Sequence, residues 1–558
     1  MLRRSGRSPV NKCFLSLATA GLLAAGGADA AVISLINVDP DGVGLNDATP
    51  TRPVGGNPGI TIGEQRRIAY QFAMDLWGSV LQSEVEIKVY ASFAPLACTA
   101  GSGTLAQAGT NWIVYNTPNA RPNTLYHSAL ADALAGEDIV PDPDDPGDIF
   151  SQFNGSMGRP DCLAGLSWYY GLDGKTPQGT INFLNVVMHE LGHGLGMSGF
   201  INKSTGSHLA GIPDIYTVQA LDNATGLSFV APAMTNATRA AAMRTPGRTV
   251  WNGAEVNAQA ALVLDAGRNM LRVTAPAAAS GTYEYGVALF GPAVSPASFP
   301  ARDMVLVDDG VAPAGASTTD GCDTPFANAA AVAGKIAVVD RGTCGFAVKV
   351  RNAQLNGAAA VVVVNNTAGV IDMANAAPPF TDITIPSVMV SMSDGARIKS
   401  GLPATGGVFF DQSALVGADT AGRVRLYSPT TVAGGSTFSH FDTALAPNAL
   451  MEPFDTPEIQ AHVNVDLTPA VFQDIGWTLN PAGGRIGKCD SSVDAVEEGG
   501  IIIGANVAAQ SGVCQVQAAG SKPAYVKCMT TAASRLRDQK LITSTQFNRI
   551  FQCSAFQR

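Results

Sequence analysis

His189, Glu190 and His193 stand in the stretch "MHELGHGLGMSGF", which runs from Met188 to Phe200. On a helix, side chains four residues apart share one face at roughly 6 Å, so two imidazoles at this spacing can grip one zinc ion. Glu190 points along the same cleft one step round, where a carboxylate can take a proton from a metal-bound water instead of ligating. Two histidines do not complete such a site. A third histidine six residues after His193 would close it locally, but that place is held by Gly199, so either the site is incomplete or its last ligand lies far away.

The elements around the motif have to present it to a cleft. In "GTINFLNVVMHELGHGLG", Phe183, Val186, Val187 and Leu191 give the helix an apolar side, and Gly196 stands where a chain turning sharply out of a helix favours glycine. Upstream, Thr61 and Glu64 form a capping box that predicts a helix with Ile68, Phe72, Leu76 and Val80 on one face. "EVEIKVYASF" alternates Val85, Ile87 and Val89 with Glu84, Glu86 and Lys88, the period of a half-buried strand, and "NWIVYN" and "DIFSQFNG" are further strand candidates. A helix, several strands and the His189 helix predict an α+β layer built from a mixed sheet.

Four histidines remain for the third ligand. His127 lies in "TLYHSALADAL", read as a helix, and is expected at the surface or in packing; His208 and His462 have no metal motif around them. His440 precedes Met451 by eleven residues in "GSTFSHFDTALAPNALMEPF". The H-E-x-x-H-x-x-G pattern resembles the metzincin clan of zinc peptidases. The pairing of a late histidine with N-A-L-M-x-P resembles its leishmanolysin-like group, in which a long insert separates the third zinc histidine from the helix. That resemblance implies a catalytic zinc held by His189, His193 and His440, Glu190 as general base, and Met451 as the Met-turn residue under the metal. "DLTPAVFQDIGW" at 466–477 is similar to the closing helix after such a turn. The chain departs from the group in having no cysteine between its leader and Cys98 to hold the enzyme latent.

Between helix and Met-turn the pattern changes. "GKIAVVDRGTCGFAVKVRNAQLNGAAAVVVVNN" reads strand, turn, helix, strand, with Phe346, Val350 and Leu355 as helix-face candidates. Gly334–Ile336, Asp340–Gly342, Cys344, Phe346 and Gly357–Val361 resemble the protease-associated (PA) domain, a non-catalytic insert near peptidase clefts. An insert whose ends lie close together explains how His193 and His440 can be far apart in sequence and still meet.

Composition bounds the rest. The chain has 558 residues, 46% hydrophobic and 14% charged, with a formal net charge of −10, which argues against nucleic acid as a partner. Basic residues before an apolar run from Cys13 to about Gly26, then Ala28-Asp29-Ala30, read as a secretory signal peptide, with no membrane insertion after cleavage. The remaining cysteines, Cys98, Cys162, Cys322, Cys344, Cys489, Cys514, Cys528 and Cys553, are even in number for an oxidising compartment. Order along the chain suggests that neighbours pair: Cys98 with Cys162, Cys322 with Cys344, Cys489 with Cys514, and Cys528 with Cys553. A tail hairpin of two helices, Cys528 to Gln539 and Ser544 to Cys553, with Thr543 and Gln546 as a capping box, would bring the last two sulfurs together. The acidic turns at 39–42 and 142–148 offer oxygens for a structural calcium ion but read first as solvated turns.

These readings give an α+β multidomain chain: a signal peptide at 1–30, a metzincin-like catalytic domain at 31–275 and 416–482, a PA insert at 276–415, and a stapled helical module at 483–558. The expected activity is a secreted zinc endopeptidase, extracellular or periplasmic, acting on protein or peptide substrates. The alternatives are a secreted binding or adhesion protein on a vestigial peptidase fold, and a zinc hydrolase acting on something other than protein.

Overall fold

The computed structural model describes residues 30–480 except 142–146, 311–316, 378 and 463, and residues 485–556 with interruptions. The proposed leader lies outside the described residues, and within them no helix is long and apolar enough to cross a membrane.

A four-stranded mixed sheet carries the first part of the chain: β1 (Ile33–Asn37), β2 (Ile87–Ala94), β3 (Ala106–Thr110) and β4 (Ile149–Asn154), in the order β1-β2-β4-β3. β1, β2 and β4 run parallel and β3 closes the edge antiparallel. Helix α1 (Ile62–Val80) starts at Thr61 with both halves of the capping box formed, and buries Phe72, Leu76 and Val80 as their spacing predicts. The "NWIVYN" stretch contributes Ile113–Tyr115, which pairs with Leu125–His127. His127 therefore ends a strand, immediately before helix α2 (Ser128–Ala135), and is fully buried. Helix α3 (Phe183–Gly194) packs against the sheet, with Phe183, Val187 and Leu191 in the main core beside Phe153 and Phe472.

An eight-stranded sheet follows. Its strands are β5 (Ala266–Ala275), β6 (Gly281–Tyr283), β7 (Gly286–Val287), β8 (Arg302–Leu306), β9 (Ile336–Asp340), β10 (Ala360–Val364), β11 (Ser387–Val390) and β12 (Ala404–Leu415), in the order β6-β5-β12-β8-β9-β10-β11-β7. β8 to β11 are parallel. Ala360 and Val362 pack on one face and Val361 and Val363 on the other, which is why these strands read as unbroken apolar runs. Helix α4 (Phe346–Leu355) covers the sheet through Val350, while Leu355 is exposed, because the helix ends there and the chain turns back at Gly357 with φ +82°. The sheet starts at Ala266, ahead of residue 276, and its first and last strands lie side by side with Ala266 opposite Leu415. The two ends of the insert therefore leave the host together. Glu284, in the link between β6 and β7, receives Arg268 at 2.7 Å and Arg425 at 2.6 Å, and the two guanidiniums hold its carboxyl below the usual range despite burial.

Helix α5 (Thr468–Ile475) closes the first core, and its C-terminal Gly476 takes φ +119°. The tail has its own core around Ile486, Tyr525, Met529 and Ile550. Its helices α6 (Lys522–Asp538) and α7 (Ser544–Phe556) pack together, and Thr543 and Gln546 cap the second reciprocally. Cys98–Cys162 and Cys322–Cys344 pair as expected, but the tail bonds are Cys489–Cys553 and Cys514–Cys528. The hairpin expectation failed because α6 begins at Lys522: Cys528 sits well inside the helix, and Cys553 meets the early tail instead.

Asp132 of α2 and Asp148, just before β4, share a hydrogen bond while accepting the backbone N–H groups of Ile139 and Lys88. Burial, then the charge of Asp148, holds the Asp132 carboxyl up at about 7. A folded-state value above the unfolded one gives a contribution that is complete at acidic pH and lost as pH rises through about 7. Asp132→Asn keeps the acceptor for Ile139 and donates to Asp148 without a proton to lose. It should gain about 1 kcal/mol relative to the parent at pH 8 over pH 5, read from thermal melts. An unchanged difference between the two pH values would show that the pair does not titrate with unfolding.

Candidate metal centre

Helix α3 is fixed before it presents its histidines. Asn182 caps its first turn by accepting Asn185 N–H, and the Asn185 side chain donates to Ile459 O at 2.9 Å. Trp77 donates its indole N–H to Met188 O at 2.9 Å and Trp477 to Leu195 O at 2.8 Å, so an indole from each side tethers the helix and the turn after it. At Gly196, φ is +130° and a Cβ would lie 2.5 Å from Ile475, so this turn requires glycine.

His440 reaches the helix from 247 residues away. The three Nε2 atoms converge: His189 to His193 3.0 Å, His189 to His440 3.1 Å, and His193 to His440 3.2 Å. Each Nδ1 lies 2.8 Å from a carbonyl that can only accept: Leu450 O for His189, Met197 O for His193 and Ser436 O for His440. Each Nδ1 therefore carries the ring proton and each Nε2 presents a lone pair. Burial holds His189 down at about 4 and His193 and His440 well below their ordinary value, so all three rings are neutral. Three acceptors facing one another with no donor between them are a mutual repulsion that a cation would turn into attraction. Nitrogens around a tetrahedral zinc at 2.0–2.1 Å stand about 3.3 Å apart, and the observed spacing fits that geometry. Among the described residues these histidines form the group of three side chains able to share a metal ion.

Met451 is fully buried, its sulfur 2.7 Å from where a Cβ on Gly192 would lie, so the turn carrying it presses directly on the helix that bears His189 and His193. Leu450 N–H donates to Asp466, which fixes the carbonyl used by His189. Glu190 is buried beside the cluster, and burial pushes its carboxyl up to about 8.

Gly199, the place where a third ligand would close the site locally, is filled from elsewhere. A Cβ there would meet the Phe438 ring at 2.6 Å, and Gly199 N–H donates to Ser439 Oγ. The segment bringing His440 thus occupies the space a local ligand would need. Phe438 takes φ +73°, a left-handed conformation costing a bulky residue roughly 1–3 kcal/mol, and is held by stacking on Phe229 and by Tyr216 donating to its carbonyl. Lys203 donates to Gly434 O and Gly435 O and ties the loop after α3 to the loop before His440. Neither Phe438 nor Lys203 belongs to a motif.

The other candidates lie apart. His127 bonds Ser198 through Nε2 and stacks near Phe200; His208 flanks a short turn at 209–211; His462 packs over Gly174. Asp39 commits its carboxylate to Leu45 N–H and Phe93 N–H as a turn residue, and 142–146 fall outside the described residues.

Residues 305–398 match the PA domain family, and the chain contains that domain. The chain is 31% identical over 148 residues to vacuolar-sorting receptor 2 of Arabidopsis thaliana, a match covering 24% of this chain and 22% of that protein. The chain thus spans about a fifth of the length of that relative. Among solved structures, the zinc aminopeptidase BSAP of Bacillus subtilis is 19% identical, with 27% of this chain and 33% of that chain covered at a TM-score of 0.19. An aminopeptidase from Aneurinibacillus sp. strain AM-1 is 19% identical, with 36% and 42% covered at a TM-score of 0.18. Likeness at this level carries no argument about the site.

The Gly199–Phe438 contact gives a test. Gly199→Val should displace Phe438 and with it His440, weakening zinc affinity at least about tenfold in competition with a chromogenic chelator, while a far-ultraviolet spectrum stays native. Unaltered affinity would mean that the segment carrying His440 is not placed by this packing.

Proposed function

We propose that this chain is a secreted zinc-dependent endopeptidase. The observation that carries the reading is the convergence of three neutral imidazole lone pairs, each ring locked by a backbone carbonyl, with a buried carboxylate beside them. His189, His193 and His440 would hold the ion, which when bound lowers the pKa of its water and polarises the scissile carbonyl. Glu190 accepts a proton at its carboxylate and delivers it to the leaving nitrogen. Burial raises its affinity for a proton, and a cation held by the neighbouring histidines would favour the carboxylate form that takes the proton up. Burial keeps the rings neutral and the carbonyls fix the proton on each Nδ1, so they would ligate through Nε2 without first losing a proton. Met451 contributes a buried apolar floor, and its contact with Gly192 keeps the ligand helix and the turn in register. Protein or peptide substrates and a location outside the cytoplasm belong to the same proposal, supported by the disulfides.

A second reading, a secreted binding protein in which the PA domain is the working part, draws on the similarity to a plant sorting receptor. One experiment separates the two. Zinc content and casein hydrolysis are measured on the parent chain, Glu190→Ala and His440→Ala. The peptidase reading expects Glu190→Ala to keep zinc and lose activity by at least about a hundredfold, and His440→Ala to lose both. Zinc retained without hydrolysis of any protein by the parent chain would favour the binding reading; zinc and activity surviving His440→Ala would remove His440 from the site.

A further inference from the structure

Away from the histidines, a cleft of about 460 Å³ opens along the seam between the inserted sheet and its host. One wall is the host segment with Arg244, Thr245 and Arg248; the other holds Thr367, in the loop that follows β10, and Thr430 closes it. This loop leaves the carboxyl end of a parallel strand, the side of an open α/β sheet where ligands are commonly received. The charges in the cleft are not balanced. Arg248 is neutralised by Asp222 through two hydrogen bonds of 2.7 and 2.8 Å. Arg244 is exposed, gives its Nε–H to Ala240 O, and makes no ion pair among the described residues. Among the described residues no carboxylate lines the cleft. An unpaired guanidinium in a chain of net charge −10 is a receptor for a carboxylate: with its Nε–H given to Ala240 O, the two terminal nitrogens still match two oxygens, and of the threonines Thr367 and Thr430 line the same cleft, whereas the Thr245 hydroxyl donates to Ala241 O.

The walls are held at a fixed separation. At Gly369, two residues beyond Thr367, a Cβ would lie 2.7 Å from Thr245 Cγ2, so insert and host touch beside the cleft. Thr430 belongs to the segment between Tyr427, which donates to His440 O, and the loop whose Ser436 carbonyl orients the same histidine. A ligand in the cleft would contact the insert and the approach to the third histidine together.

We propose that this seam binds a carboxylate-bearing peptide, with Arg244 as its anchoring cation. The binding does not depend on hydrolysis, so it stands or falls separately from the peptidase reading. The test uses the full chain carrying Glu190→Ala, so that probes survive, and three short fluorescein-labelled Gly/Ser peptides: one with glutamates and an amidated end, one neutral with a free C-terminal carboxylate, and one neutral and amidated. Fluorescence anisotropy should show binding of the first or the second and not of the third, and which one binds identifies the source of the carboxylate. Arg244→Gln, at an exposed position where folding is not at stake, should weaken that binding about tenfold or more, and Arg244→Lys should restore part of it. Equal binding of all three peptides, binding of none, or affinity unchanged by Arg244→Gln would overturn the proposal.

Discussion

Everything at the centre depends on three imidazoles turned the same way, with their protons outward and their lone pairs inward. The orientation is imposed by three backbone carbonyls that belong to three separate places: the turn after the helix, the Met451 turn, and the loop before His440. A carbonyl cannot donate, so each one settles the tautomer of its ring irrespective of what lies on the other side. The packing around the cluster can be read as the means of keeping those carbonyls still: the two tryptophan indoles on α3, Asp466 under Leu450, and Lys203 across the two loops.

The inserted sheet shows how a distant residue can serve a local geometry. Because β5 and β12 run side by side, the host chain is interrupted at one point on its surface, and the segments before and after it are left to pack as one core. Insert and host are nevertheless not independent bodies in charge: Arg425, from the host strand segment beside His440, shares Glu284 with Arg268 of the insert. Removing Glu284 would take from two half-buried guanidiniums the carboxylate they share and leave Arg425 to the charges of Asp442 and Asp419, a larger loss than an exposed surface ion pair represents.

What was readable in the sequence was local. The Thr61 capping box, the i, i+4 histidines and the apolar runs of the insert's strands each depend on spacing alone, and each is found in place. His440 and Met451 are legible only through their resemblance to a known arrangement; no period or propensity singles them out. The tail disulfides were misassigned because sulfur pairing depends on where α6 begins, and order along the chain carries no such information. Leu355 fits an apolar helix face yet is exposed, since the last turn of α4 overhangs the sheet. His127 sits where a strand gives way to a helix, a boundary that the helical reading of its surroundings conceals. Phe438 and the three carbonyls were invisible for a plainer reason: a left-handed backbone and a main-chain acceptor have no residue type of their own.

The tail's sulfur connectivity bears on how the molecule could be dismantled. Cys489 is joined to Cys553 and Cys514 to Cys528, so every cross-link of the tail begins and ends within it. A cut between Cys489 and Cys553 leaves both pieces covalently attached, whereas a single cut between Asn480 and Cys489 severs all covalent connection to the rest. A cut between Asn480 and Cys489 would thus release the tail as a separate molecule with its own cross-links whole and nothing of the preceding core attached.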